Sequence, residues 1–505
     1  MTAGSPSKLP RSLAYRLPLA ISLAAGGCAV GPDYRQPAAP VPVAYKELEG
    51  WKTATPRDSD DRGAWWAAFD DPLLDALERQ VEVSNQTLAA DEAAFRQARA
   101  IVAQARASLY PTITVNGSVR RSRLGGSAGS TRAPSNTGQT PTGTGTAGLP
   151  SGGFSTDAQT FYQPSAGASW DLDVWGRIRR TIESDLADAQ ASAADLAAAK
   201  LSAQAELATD YFQLRALDEQ KKLFEDSAAA YEQSLRIAQN QYRWGIATRG
   251  DVAQAETQVE STRAQAIATG IQRAQFEHAI AVLAGVPPAD LSIAPAGLGV
   301  VPPPVPAGLP SALLERRPDV AAAERRVAAA SAQIGVAEAA YFPDITLTSS
   351  VGYAATALGS LFDSSNLAWS VGVALAQTVF DAGARSAVVA QARAGYDQAV
   401  ANYRQTTLAS LQDVEDQLAS LRILDQQAAA QEHAVAAARE AERLELNQYK
   451  AGTIAYTSVV TAQQTALSNE QTALSIRQNR FTSTVALIRA LGGGWSDEDR
   501  IRSEG

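Results

Sequence analysis

Few residues in this chain of 505 are of a type and spacing that could do chemistry. Cys28 is the only cysteine, so the chain can form neither an internal disulfide nor a thiolate metal cluster. Its surroundings are more telling than its number. Lys8, Arg11 and Arg16 make a positive lead, Leu17–Ala25 a short apolar core, and Ala25-Gly26-Gly27 a run of small residues directly before the thiol. The apolar core is too short to span a bilayer. This pattern predicts export, cleavage before Cys28, and use of its sulfur as the acceptor of a bacterial lipoprotein lipid. Left bare in an exported chain, the thiol would be an oxidation liability. Ala25 stands where such motifs usually carry Leu, and Leu23 sits two positions earlier.

The remaining candidates point away from catalysis. His278 and His433 are the only histidines, and neither has a cysteine or second histidine at ligand spacing. Both lie in Ala-rich helical stretches and read as surface residues. There is no Gly-rich phosphate loop, no Gly-x-Ser-x-Gly elbow and no metal motif. Arg316-Arg317-Pro318-Asp319 reads as a helix start, with Pro in the first turn and Asp beside the positive end of the dipole. Paired Asp and Glu on the helices read as solvated faces or i,i+4 contacts. An enzyme is not expected. The net charge of −9 and the lack of a basic stripe with interleaved aromatics also exclude nucleic acid as a partner.

What positions these residues is a duplicated design. Tyr242-Arg243-Trp244-Gly245 answers Tyr449-Lys450-Ala451-Gly452, 207 positions later. The same offset relates Gly176 to Gly383, Val252 to Val459, Ala255 to Ala462 and Gly285 to Gly492. Upstream, Leu109-Tyr110-Pro111 matches Tyr341-Phe342-Pro343 at an offset of 232. The first copy has therefore gained 25 residues, which fall in Leu124–Gly153, a Gly/Ser/Thr/Pro tract that reads as a solvated loop.

Each copy repeats one order of periodicities. A helix (72–108, then 318–340) precedes two strands, a very long helix (177–244, then 385–450) and a shorter one (250–284, then 457–491). Gly245 and Gly452 end the long helices. Along the first, Ile178, Ile182, Leu186, Ala189, Ala193, Leu196, Ala203, Leu207, Tyr211, Leu214 and Leu217 recur in steps of three and four. Phe224, Ala228, Tyr231, Leu235, Ala238 and Tyr242 continue this coiled-coil period. Lys200 and Lys221 interrupt it. At ~1.5 Å per residue the helix is roughly 100 Å long, more than a compact domain can hold.

The strands alternate just as clearly. Ile113, Val115 and Val119 alternate with Thr112, Thr114, Asn116 and Ser118; Leu367, Trp369, Val371, Val373, Leu375 and Val379 alternate with small or polar residues. Runs around Tyr162–Val174 and Ile345–Tyr353 behave alike. Their length suffices to cross a bilayer at a tilt, and an apolar face backed by a polar one suits a wall between lipid and water. Two strands per copy make four per chain. Four cannot close, and in hydrocarbon an open edge costs several kcal/mol per unpaired group. Copies must join: two chains would fill the interior with side chains, whereas three leave a lumen. The expected fold is an α+β membrane protein with four transmembrane strands per chain. For a conduit, three chains supplying 12 strands are the smallest assembly that works.

These residues resemble the outer-membrane factor family, the exit ducts of tripartite efflux pumps, and its lipoprotein branch in particular. The resemblance runs from Cys28 to Trp495. Its most specific pieces are Cys28-Ala29-Val30-Gly31-Pro32-Asp33-Tyr34, the run Gly308 to Asp319, Ile334-Gly335-Val336-Ala337, Tyr341-Phe342-Pro343 and Ala490-Leu491-Gly492-Gly493-Gly494-Trp495. It implies a homotrimer in the bacterial outer membrane that carries drugs or other toxic small molecules outward, its 12-stranded trimeric β-barrel continued by a long α-helical coiled-coil tunnel into the periplasm. It implies two protein partners, a periplasmic adaptor and an inner-membrane RND-type, proton-driven transporter. No cofactor is implied beyond the lipid on Cys28.

Carried across residue by residue, the adaptor-contact tips fall on Tyr242, Trp244, Gly245, Tyr449 and Gly452. The periplasmic gate falls on Tyr456, Thr457, Thr461 and Gln464. Thr461 and Gln464 stand where some members carry Asp and Arg, so no ionic latch is implied here; Tyr456 and Arg249 remain as hydrogen-bonding groups. The implied organisation is an export signal (1–27), a lipidated extended segment (28–71), two repeats (72–295 with hairpin 110–175, and 296–495 with hairpin 341–382) and a tail (496–505). The alternatives are a type I protein-secretion duct and a soluble periplasmic coiled-coil or adaptor protein. An adaptor would lack the amphipathic strands. The cargo is not legible in a passive duct, though one Met, one Cys and two His argue against a dedicated soft-metal site.

Overall fold

The computed structural model describes residues 29–39, 42, 45–46, 64–122, 158–299, 301–303 and 317–493. Cys28, the Leu124–Gly153 tract, residues 308–316 and the tail after 493 lie outside the described residues. Within the described residues, seven α-helices and four strands run in chain order: α1 (Pro72–Ser84), α2 (Gln86–Ala107), β1 (Thr112–Ser122), β2 (Gln159–Asp171), α3 (Arg177–Arg243), α4 (Arg249–Leu283), α5 (Pro318–Ala339), β3 (Asp344–Tyr353), β4 (Leu367–Ala376), α6 (Ala384–Lys450) and α7 (Tyr456–Ala490). None of these helices is long and apolar enough to cross a membrane.

The duplication reaches the helix ends. α3 and α6 each have 67 residues, α4 and α7 each have 35, and every bound in the second pair lies 207 positions after its counterpart. Gly245 and Gly452 close the long helices at φ 70° and 75°, a left-handed conformation open to glycine at little cost.

The single helix expected over 72–108 is two. Asn85 leaves the helical region at ψ 122° and caps the start of α2. Its Oδ1 accepts from Thr87 N and Leu88 N at 2.9 and 3.1 Å, while its Nδ2 donates to Leu283 O at 2.8 Å. Asn competes with helical backbone in this way, and a partner from α4 makes the break permanent.

The chain divides into two compact units, and neither coincides with one copy of the repeat. Unit 1 takes 29–34, the end of α2, the start of α3, the end of α5, the four strands and the start of α6. Its sheet runs β1-β2-β3-β4, antiparallel throughout. The register aligns Val115, Ala166, Val351 and Trp369 across one face, then Ile113, Ala168, Ser349 and Val371, then Trp170, Leu347 and Val373. Thr114, Gly167, Ser350 and Ser370 form a row of the other face, where the hydroxyls of Ser350 and Ser370 lie 2.8 Å apart. β1 and β4 are edges.

Two strands stop earlier than their alternation suggests. β2 ends at Asp171 and β4 at Ala376. Beyond them Asp173 accepts from Ile178 N and Arg179 N at 2.8 and 2.9 Å, and Asp381 from Gly383 N and Arg385 N at 3.1 Å each. Each carboxylate caps a long helix, so the preceding backbone turns out of the sheet.

Unit 2 holds the helical core. Leu74 and Val81 of α1, Leu207 and Leu214 of α3 and Ile280 of α4 are fully enclosed. Each such side chain contributes about 1.5–3 kcal/mol relative to exposure. Along α3 most of the expected stripe is buried, including Tyr211, Leu217, Phe224, Ala228, Tyr231 and Ala238, but Leu186 and Tyr242 are exposed. Lys200, which breaks the stripe, pairs with Glu82 of α1 at 2.9 Å. Arg215 and Arg273 hold the extended stretch after α4 by donating to Ala294 O and Ile293 O, at 2.7 and 2.5 Å. Asp218 accepts from Arg273 Nε and from Ala296 N at 2.6 and 3.2 Å.

Candidate functional site

The residues expected to meet partners gather in unit 2, at the turns joining α3 to α4 and α6 to α7. The two turns have the same length, yet they present opposite surfaces. At the first, Tyr242 is 46% and Trp244 82% exposed, with Ile246 also outside. Thr248 and Asp251 cap α4 reciprocally: Asp251 N donates to Thr248 Oγ1 at 3.1 Å and Thr248 N to Asp251 Oδ2 at 2.8 Å. At the second turn Ala451 replaces the Trp, and Ala455 supplies no side-chain cap to α7.

Tyr449, the twin of exposed Tyr242, is only 5% exposed. Its ring packs edge-on against Tyr456 at 5.0 Å, and both join a core with Ala238, Val252, Ala255, Val459 and Val460. Tyr456 is the twin of Arg249. An aromatic ring at that place draws the neighbouring tyrosine inward, while Arg249 stays in solvent and pairs with Glu256 at 3.7 Å. Gln241 Nε2 donates to Tyr449 O at 3.2 Å, binding the two hairpins together.

The four residues assigned to the gate lining do not share a face. Thr457, Thr461 and Gln464 are exposed and recur at helical spacing along α7. Tyr456, 1% exposed, is turned into the core instead. Its phenol and that of Tyr449 have no hydrogen-bond partner among the described residues. Burial pushes the Tyr456 hydroxyl up to about 12, with Tyr449 and Asp251 adding to it. Burial also raises Tyr449. Thr461 Oγ1 donates to Thr457 O at 3.0 Å, and Gln464 Nε2 to Gln258 Oε1 at 3.1 Å. Gly245 and Gly452 have open space around them.

Some residues at these turns escaped sequence reasoning. Ile246 is an exposed apolar side chain directly after the breaking glycine, and that position was its signal. The Thr248–Asp251 capping box was also readable, as a Thr followed three residues later by an acid. His278 and His433 are exposed on α4 and α6, and no group of three or more metal-ligating side chains occurs among the described residues. Arg317 does more than flank a helix start: besides Asp319 at 2.6 Å it reaches Asp413 of α6 at 3.2 Å and donates to Ala490 O of α7 at 3.3 Å.

A family model described as outer membrane efflux protein matches residues 77–286 and 309–493. The chain belongs to that family. It is 32% identical over 480 residues to the probable efflux pump outer membrane protein TtgC of Pseudomonas putida, covering 94% of each chain. It is 29% identical over 497 residues to the cation efflux system protein CusC of Escherichia coli, covering 97% of this chain and 99% of that one. The solved structure of the outer-membrane channel OprN matches with a TM-score of 0.82 at 29% identity, covering 93% of this chain and 100% of that one. As an outer membrane efflux protein the chain is a transport duct of the outer membrane, not an enzyme. Its exposed tips and two-faced sheet are to be understood as parts of a conduit.

Proposed function

We propose that this outer membrane efflux protein is the lipid-anchored, homotrimeric exit duct of a tripartite pump. It receives small toxic molecules from a periplasmic adaptor and an inner-membrane transporter. The observation that carries this reading is the sheet of unit 1. It has an apolar exposed face, a polar opposite face and two edge strands. Four strands cannot seal a cylinder, and unpaired edges are not tolerated in hydrocarbon. Three copies joined edge to edge give twelve strands around a polar lumen. The repeat layout of 72–295 and 296–495, with the anchor segment 28–71 before it, supplies both hairpins of each protomer.

Cysteines placed singly along β1 (Thr112, Thr114, Asn116) and along β4 (Gly372, Ala374) test the assembly. Oxidation of paired variants in membranes is expected to give covalent trimers and, after reconstitution, an ion current. Monomers without current would overturn it.

At the tips, Trp244, Tyr242 and Ile246 suit an apolar contact with the adaptor. Thr457, Thr461 and Gln464 are available as lining, with Tyr449 and Tyr456 packed behind them. The resting state then depends on that packing rather than on an ionic latch. Tyr456→Ala should raise the resting current in planar bilayers; an unchanged current removes Tyr456 from the gate.

A further inference from the structure

The stretch immediately after Cys28 is held by far more contacts than a tether requires. Val30 N donates to Trp175 O at 3.0 Å. Arg180, one turn into α3, donates from Nε to Val30 O at 3.2 Å, and from Nη2 to Gly31 O at 3.3 Å and to Asp33 Oδ1 at 3.0 Å. Its Nη1 is taken by Glu183 at 2.7 Å, so the guanidinium, 7% exposed, is neutralised while it grips two strap carbonyls.

Sterics close the seat from the other side. Gly31 sits at φ 102°, and a Cβ there would overlap the backbone of Gly335. A Cβ on Gly335 would lie 2.8 Å from Val30 O and 2.9 Å from Arg180 Cγ. One on Gly176 would lie 2.8 Å from Ala29 Cα. Three glycines from three parts of the chain therefore make room for one five-residue strap. A solvated tether would need none of them.

We propose that residues 29–33 are a seated latch and that Arg180 is the positioning residue that fixes the lipid-bearing end of the chain at the junction between β2 and α3. The next residue back, Cys28, is one peptide link away, about 3.8 Å between Cα atoms. Acyl chains on its sulfur therefore enter the bilayer at one place relative to the sheet. The anchor and the sheet then act as one body. The lipid half of this statement rests on the lipidation reading above.

Arg35 is exposed two residues beyond Asp33, but trypsin must hold several residues on each side of the cleaved bond, so cleavage there is tied to local opening of the strap. The experiment follows cleavage at Arg35 in the full-length, membrane-embedded protein, with exposed Lys450 at the α6–α7 turn as an internal standard. Arg180→Ala should speed cleavage at Arg35 at least tenfold while leaving the Lys450 rate unchanged. Arg180→Lys should behave like Ala, because an ammonium carries the charge but cannot fork between the Val30 and Gly31 carbonyls. Gly335→Ala, which attacks the seat without touching a charge, should also open it.

Unchanged cleavage at Arg35 in both Arg180→Ala and Gly335→Ala would overturn the latch. A wild-type rate in Arg180→Lys would overturn the role given to the fork. Should Arg180→Ala fail to fold, Gly335→Ala and Asp33→Ala decide the matter. The mass of the released 28–35 peptide reports lipidation separately: an unmodified Cys28 sinks the anchor reading, while the cleavage rates still judge the seat.

Discussion

Replacing Glu78 by Gln should stabilise the folded protein at neutral pH and change nothing in mild acid. Glu78 lies on α1 at 0% exposure, among the apolar side chains that join α1 to α3 and α4. Neither carboxyl oxygen has a hydrogen-bond partner among the described residues. Burial pushes the group up to about 9, and the Glu82 carboxylate one turn on adds to the shift. Glu82 itself is engaged elsewhere, by Lys200 and by Gln204 Nε2, each at 2.9 Å. The folded chain thus keeps a proton that the unfolded chain sheds near pH 4.5. The stability linked to Glu78 is fully present below that pH and is lost as pH rises toward 9. At ~1.4 kcal/mol per unit, roughly 3 kcal/mol disappears between pH 4.5 and 7. Gln keeps the shape and stays neutral, so the difference between variant and wild type should grow from near zero at pH 4.5 to about 3 kcal/mol at pH 7. Guanidinium unfolding of the detergent-solubilised protein across that range measures the difference. Infrared spectroscopy gives an independent readout, since a protonated carboxyl band present at pH 7 should vanish in Glu78→Gln. A stability difference that does not vary with pH, or a wild-type spectrum without that band, would refute the reasoning.

The same packing sets the outcome of other substitutions. Tyr456→Phe removes a buried hydroxyl without a partner and should leave the thermal midpoint unchanged or higher, whereas Tyr456→Ala empties the tip core and should cost about 3–5 kcal/mol. Gly285→Ala places a methyl into the backbone of Ser84 at φ 72° and should cost more than ~1 kcal/mol in chemical denaturation. Gly245→Ala, at φ 70° but in open space, should cost only about 1 kcal/mol. Arg273→Ala strips buried Asp218 of its 2.6 Å partner and leaves Ile293 O without its donor; a loss of about 3–5 kcal/mol is expected, with new protease cleavage in the stretch after α4.

Much of this architecture was legible because its causes are local. Alternation along Thr112–Ser118 decides which side chains share a face, since a strand has only two sides. A glycine at 245 or 452 decides where a helix stops, since few other residues adopt its φ. The 207-residue offset then placed the long helix and the shorter one of the second copy from those of the first. Strand ends and the break at Asn85 were harder. There a carboxylate or amide competes with the backbone, and the outcome depends on what lies opposite.

The amino-acid order alone therefore determined a duplicated chain of long helices and two-faced strands. Tertiary structure alone decided that Tyr449 turns inward while its twin Tyr242 turns out, and that Tyr456 is enclosed beside exposed Thr457. It also decided that Glu78 is sealed without a partner, and that Arg180 and Arg317 reach residues far away in the chain. Periodicity and turn chemistry act over a few residues, so sequence carries them plainly. The burial of one side chain depends on neighbours contributed from other helices, and only the packed fold brings those neighbours together.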